Sequence, residues 1–233
     1  MLELRRLDQN ILTRLRKIGT STLSDAMDRI GLAGAVEGLD PLLPDSDIVG
    51  QAFTVSYLPA GPKGGTVGDF LDQVSPGDVV VIDNRGRTDC TVWGNIMTEV
   101  AKARGIEGTV IEGVNRDLGE SRTSGYPIWS RRGHMRTGKD RVVLNALNVP
   151  VCLDRLRVDP GDVIRADSSG VVVIPLHLTE QILKVAEDIE AKEAAILTAI
   201  RNGMTLGEAR LLHGYHNLQT RQSKTNLTDE QTP

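Results

Sequence analysis

The sequence predicts an α/β fold, and three observations carry the prediction. Aromatic residues make up only 3% of the chain, so the core must be built from Val, Ile, Leu and Ala, which suits a sheet covered by helices. SPGDVVVIDNRG (75–86) is a turn followed by a wholly apolar strand of the kind buried on both faces, and GTVIEGVNRD (108–117) is a second such strand. TVWGNIMTEVAKARG (91–105) between them reads as a helix, which makes the segment a strand, helix, strand crossover.

The elements follow in order. In MLELRRLDQNILTRLRK (1–17) and the residue after it, Leu4, Leu7, Ile11, Leu15 and Ile18 fall at helical spacing. Its basic face also suits a membrane surface or a targeting segment, but Glu3 and Asp8 argue against a transit peptide, so packing against the body or a partner subunit is expected. GTSTLSDAMDRIGLAG (19–34) has Ser and Thr ahead of a helical run and Gly31 as its stop. DIVGQAFTVSYLP (47–59) alternates as a strand, and residues 59–68 form a loop feeding a helix near 67–74. The loop's glycines suggest a phosphate cradle, yet they lack the G-x-x-x-x-G-K-[ST] spacing, which favours a plain connection.

The crossover helix places Ile96, Val100 and Ala103 on one face and ends at Gly105. PIWSRRG, VVLNALNVPVCLDRLRVDPGD and VIRADSSGVVVIP read as further strands joined by turns, and PGD at 160–162 repeats the turn type of PGD at 76–78. Residues 178–202 have few breakers and an apolar stripe through Ile182, Val185, Ile189, Ala195 and Ile196, the pattern of one long helix. The expected organisation is one domain over 1–216, with N-terminal helices within 1–31, the long helix at 178–202 and a polar, disordered tail at 217–233.

Composition also excludes function classes. The chain has 233 residues with 39% hydrophobic and 25% charged, enough for a sizeable core. Its 27 basic and 31 acidic residues give a net charge of −4, and the basic ones are scattered, so no nucleic-acid groove is expected. No run approaches the roughly 20 apolar residues of a membrane span, so a soluble, cytoplasmic protein with no membrane partner is expected. Cys90 and Cys152 are isolated, which predicts two buried, reduced thiols.

Ligands gather at the carboxyl ends of strands in such a crossover, where Arg116 and Asp117 stand. The two are either a turn with a surface ion pair or the working end of an active site. A lone aspartate suits a hard cation such as Mg²⁺, which often takes one or two protein carboxylates and keeps several waters. An arginine fork suits a carboxylate or an oxygen gaining charge. The helix opening offers free N–H groups at Gly94, Asn95, Ile96 and Met97, which are a seat for an anionic carboxylate or simply a helix start. Asp83 and Arg85 end the preceding strand and could reach the same pocket. Arg131, Arg132, His134 and Arg136 form either a recognition loop for a distal carboxylate or an exposed basic turn. His213 and His216 have a metal-compatible spacing but read better as surface histidines near a frayed end.

GNIMTEVAKARGIEGTVIEGVNRDLGE (94–120) resembles the signature of the RraA-like family, which includes class II pyruvate aldolases acting on 4-hydroxy-4-methyl-2-oxoglutarate and 4-carboxy-4-hydroxy-2-oxoadipate. TLSDAMDRIG, PGDVVVID, YPIWSR and PGDVIRADSSGVVVIP extend the resemblance over most of residues 20–200. It implies a swivelling β/β/α sandwich with N-terminal helices and a long C-terminal helix, assembled as a homotrimer or homohexamer with intersubunit sites. It implies that Asp117 holds Mg²⁺ or Mn²⁺, that Arg116 contacts substrate, and that the backbone at Gly94, Asn95, Ile96 and Met97 grips a pyruvoyl carboxylate. A glutamate from a neighbouring subunit's C-terminal helix would complete the site; Glu193 matches best and Glu190 second, and either is otherwise a solvated helix face.

The implied activity is metal-dependent retro-aldol cleavage of a 4-hydroxy-2-oxo acid to pyruvate, with oxaloacetate decarboxylation as a related reaction. One position departs from the aldolases, which commonly carry an acid where this chain has Asn95; an amide cannot titrate, so proton exchange at pyruvate C3 is expected to suffer or the substrate to differ. Glu112 keeps the family's acid in the 111–113 segment. Some family members lack the metal-site residues and act as protein-binding regulators of an RNA-degrading endonuclease, an alternative that the retained Arg116 and Asp117 disfavour, and a lyase or hydrolase on another oxo acid stays open. An older family name, a menaquinone methyltransferase, finds no glycine-rich cofactor loop in this chain.

Overall fold

Strands buried on both faces frame the molecule. A computed structural model describes residues 6–215, and its central element is β3 (Ile48–Pro59), flanked by β4 (Val79–Asp83), β5 (Gly108–Asn115) and β6 (Ile128–Gly133) in parallel. The other edge of β3 takes two antiparallel partners, β7 (Val142–Leu147) along its second half and β10 (Val163–Asp167) along its first. β10 turns back into β11 (Gly170–Ile174), and the two-residue strands β1 (Ala35–Val36) and β2 (Asp40–Pro41) pair with β11 and β6. A separate hairpin joins β8 (Val151–Leu153) to β9 (Leu156–Val158).

The apolar runs divide between two faces by the period-two rule. Along β4, Val80 and Ile82 enter a cluster with Trp93, Ala101 and Tyr126 beneath α3 (Asn95–Ala103), whereas Val79 and Val81 enter one with Trp129, Val151 and Leu153. β3 is buried on both faces through Val55, rather than alternating with solvent as the sequence suggests, because both of its edges and both of its faces are covered. A third cluster joins α1 (Gln9–Arg16), α2 (Thr20–Arg29) and α5 (Thr179–Arg201) through Leu15, Leu23, Met27, Ile182, Ala186 and Ile189. The mixed α/β fold and the long C-terminal helix agree with the sequence reading.

Several local expectations are corrected. The first helix begins only at Gln9, because the Asp8 carboxylate accepts the Asn10 N–H and caps it; Leu4 and the tail at 217–233 lie outside the described residues. α2 opens on Gly19 with no side-chain cap of its own; Asp167, on β10, accepts both the N–H (2.8 Å) and hydroxyl (2.7 Å) of Thr20. The helix expected near 67–74 is one 3₁₀ turn, Leu71–Gln73, since burial of Phe70 and Leu71 and the left-handed Gly68 (φ +73°) hold the segment down as a loop.

On α3 the apolar face at Ile96, Val100 and Ala103 points outward, and Thr98 and Ala101 face the core. Cys90 is buried and Cys152 is exposed at an outward position of β8; both are free thiols. The two PGD turns share a glycine in the left-handed region, Gly77 at φ +79° and Gly161 at φ +88°. A further helix, α6 (Leu206–Leu212), follows α5 and is held by a reciprocal capping box between Thr205 and Glu208. Among the described residues no helix is long and apolar enough to cross a membrane.

Candidate active site

The end of β5 and the start of α3 meet at Gly94. Trp93, buried and stacked on Tyr126, fixes the approach: its Nε1 donates to Thr98 Oγ1 (3.0 Å), that hydroxyl donates to Gly94 O (3.1 Å), and Trp93 O accepts from Arg116 N (3.0 Å). A Cβ on Gly94 would lie 2.7 Å from Asp117 Oδ2 and 3.0 Å from Arg116 Nε, so only glycine lets these side chains lie against the helix opening. Gly94 itself is extended (φ −154°), and closeness rather than backbone angle demands it.

Asp117 has the angles of a left-handed residue (φ 57°, ψ 46°), a conformation that aspartate tolerates at a cost of roughly 1–3 kcal/mol and that clusters at functional sites. The turn brings its carboxylate back over α3. Oδ2 accepts the Asn95 N–H at 3.0 Å and pairs with Arg116 Nε at 3.3 Å, while 40% of the Arg116 side chain stays exposed. Asp117 therefore occupies the Asn95 N–H at the helix opening, leaving those of Ile96 and Met97 for a bound anion.

A cavity of about 230 Å³ opens beside this junction, lined by the start of α3 from Gly94 to Met97, by Arg116, and by Asp69 and Thr137 from two loops. The structure thus brings together Arg116, Asp117, Gly94, Asn95, Ile96 and Met97. Asp69 and Thr137 escape the sequence reading. The only signal for Asp69 is its place between Gly68 and the apolar Phe70, and the helix predicted there hid it.

Glu193 lies elsewhere in the same chain, on α5 beside Glu190 and Asp25; burial and those two carboxylates raise its pKa above the usual range. Glu190 accepts a hydrogen bond from Thr22 Oγ1 (2.9 Å). The other strand-end groups have structural partners. Glu112 is buried, accepts from Arg131 through Nε (2.7 Å) and Nη2, and takes the Asp154 N–H (2.9 Å) at the tip of the β8–β9 hairpin. Arg131 is thereby withdrawn from the basic recognition loop. Asp83 caps the backbone N–H groups of Arg85 and Cys152 and does not line the cavity.

Arg132 reaches Thr88 O, and His134 Nε2 lies 3.1 Å from Asp89 O. Arg87 holds the Asp89 carboxyl down at about 2. His213 ends α6, and His216 lies outside the described residues.

Among the described residues no three His, Cys, Asp or Glu side chains gather as a metal cluster. The donor set at the junction fits a different kind of site, a hydrated hard cation on few protein oxygens. Asp117 accepts its hydrogen bond and ion pair on Oδ2, and Asn95 Oδ1 is buried with no hydrogen-bond partner. A cation would satisfy that orphaned oxygen.

Residues 20–173 match the family described as RraA-like: Aldolase/RraA. The chain is 36% identical over 193 residues to a protein of Halalkalibacterium halodurans named "Putative 4-hydroxy-4-methyl-2-oxoglutarate aldolase", covering 80% of this chain and 89% of that one. It is 36% identical over 204 residues to protein DlpA of Legionella pneumophila, covering 86% of this chain, yet it spans only 33% of DlpA's length. Two solved structures are similar. An uncharacterized protein of Pseudomonas syringae pv. tomato superposes with a TM-score of 0.85 at 40% identity, covering 91% of this chain and 98% of that one. Streptomyces coelicolor RraAS2, described as an unusual member of the RNase ES inhibitor RraA protein family, gives 0.75 at 26% identity, covering 82% and 98%.

Proposed function

The chain belongs to the RraA-like family, and on that premise we propose that it is a divalent-metal-dependent lyase cleaving a 4-hydroxy-2-oxo acid, of the 4-hydroxy-4-methyl-2-oxoglutarate type, to pyruvate and a second carbonyl compound. The observation that carries the reading is the Gly94 junction, where an arginine fork and a helix opening line one cavity and a carboxylate with one oxygen uncommitted is bonded to both.

In this proposal each residue takes a role that the geometry supports or allows. The N–H groups of Ile96 and Met97 at the opening of α3 receive the C1 carboxylate of the substrate. Asp117 would hold Mg²⁺ or Mn²⁺, with the orphaned Asn95 Oδ1 as a second candidate oxygen, and the ion would supply Lewis-acid stabilisation of negative charge on the 2-oxo group. Arg116 presents its exposed fork to the C4 oxygen or to the enolate, where an added charge-assisted bond strengthens as charge develops. Glu193 of a neighbouring copy relays the proton leaving the C4 hydroxyl. Its raised pKa suits a group that must accept and release a proton, and exposed Ile96 and Val100 leave an apolar surface at the rim for that copy to cover in a homotrimer or homohexamer. Oxaloacetate decarboxylation would use the same enolate.

A pyruvate-release screen over 4-hydroxy-2-oxo acids and oxaloacetate, with and without Mg²⁺, tests the proposal. Metal-dependent release from at least one hydroxy acid is expected. Failure of every substrate, together with binding to an RNA-degrading endonuclease, would replace the enzyme by a regulator of the RraA inhibitor type.

A further inference from the structure

The cavity wall facing the α3 opening carries a carboxylate without an assigned role. Among the residues lining the cavity, Asp69 is the single Asp or Glu, while Asn95 has no titratable group and Asp117 is committed to the Asn95 N–H and to Arg116. Asp69 is exposed, but the backbone that carries it is tied down on both sides. Tyr57 Oη donates to Val67 O at 2.6 Å, Leu144 N donates to Thr66 O at 3.2 Å, and Gly68 N donates to Thr66 Oγ1 at 2.9 Å. Gly68 lies at φ +73° against Leu144, whose Cδ2 would sit 2.5 Å from an added Cβ, and Phe70 on the other side is 1% exposed. These anchors hold the backbone of Asp69 at the cavity wall.

We propose that Asp69 is the catalytic acid that delivers the proton to C3 of the pyruvate enolate. The inference rests on the lyase reading and adds the proton step that Asn95 cannot perform. When the C4 hydroxyl proton has left and the C3–C4 bond has broken, its electron pair lies in the enolate. The Asp69 carboxyl then gives its proton to C3 as that pair forms the new C–H bond, and the carboxylate left behind is reloaded from solvent at the exposed cavity mouth. In reverse, the Asp69 carboxylate removes a proton from the methyl group of bound pyruvate.

The test is ¹H NMR of pyruvate in D₂O with Mg²⁺, following loss of the methyl signal. Wild-type protein is expected to exchange the methyl protons. Asp69→Asn is expected to slow exchange by about 100-fold or more, the scale of a general acid–base group, with the thermal midpoint unchanged and the pyruvate Kd within about threefold of wild type. Asp69→Glu is expected to recover part of the rate, which a merely structural role would not produce. Wild-type exchange that persists undiminished in Asp69→Asn overturns the role of Asp69 and leaves the lyase reading intact. Wild-type protein that neither exchanges pyruvate nor cleaves any hydroxy acid overturns both.

Discussion

Replacing Gly94 by alanine adds one methyl group at the place where β5 and α3 touch. The new Cβ would stand 2.7 Å from Asp117 Oδ2, 3.0 Å from Arg116 Nε and 3.2 Å from Arg116 Cγ. An ordinary non-bonded contact needs about 3.5 Å, so the carboxylate must retreat by about 0.8 Å and the guanidinium by about half that. The backbone needs no change, because alanine adopts the extended angles of Gly94 (φ −154°, ψ −171°) freely.

The strain thus falls on the two side chains and on the 3.0 Å bond from Asn95 N to Asp117, whose loss costs about 1.5–3 kcal/mol. A shift near 1 Å in a reacting constellation lowers the rate by about 100-fold. Steady-state pyruvate release with saturating Mg²⁺ is expected to show kcat down by about two orders of magnitude, with a cooperative thermal transition retained. A Gly94→Ala protein that kept kcat within twofold would refute the claim that this contact sets the catalytic geometry.

Further outcomes are expected elsewhere. Arg116→Ala lowers kcat more than it raises KM, because its contact is strongest in the transition state, and an effect confined to KM would contradict that role. Glu112→Gln removes the buried charge that holds the half-buried Arg131 and the Asp154 N–H, and urea unfolding is expected to show a loss of about 2 kcal/mol with kcat unchanged. Burial raises the pKa of Glu193 in the folded chain above the ordinary glutamate range, so its ionisation destabilises the fold; this contribution favours the native state below the unfolded pKa and disappears as pH rises through the folded one. Glu193→Gln is therefore expected to raise the thermal midpoint relative to wild type at pH 7 while lowering turnover, and the stability difference should vanish near pH 4. A midpoint difference that did not depend on pH would contradict this origin.

The strand, helix, strand unit at 75–117 was legible because doubly buried strands read as unbroken apolar runs, and Arg116 and Asp117 followed from their place at its end. The crossover helix misled in one respect. Its face through Ile96, Val100 and Ala103 has the apolar pattern of a core face, but the packed side is the smaller set containing Thr98 and Ala101, because the Trp93 indole fills the space beneath. Sequence periodicity cannot distinguish an apolar face that meets the sheet from one left at the surface.

The loop at 66–70 was illegible for a related reason. Its conformation is set by Tyr57 and Leu144, residues from β3 and β7 brought near by the sheet. Glu112 reaches Arg131 and Asp154, 19 and 42 residues on, and Asp83 reaches Cys152, 69 residues on, so these structural duties could not be read from local spacing. α6, in contrast, carries a plain local signal in the T-x-x-E of Thr205 and Glu208.

The central claim is that Asp117 is the anchor of a divalent cation, and a Mn²⁺ titration followed by electron paramagnetic resonance tests it most directly. Wild-type protein is expected to bind one Mn²⁺ per chain, and Asp117→Ala, still folded by circular dichroism, to bind it at least about 10-fold more weakly. Equal Mn²⁺ affinity in the two proteins would contradict the account.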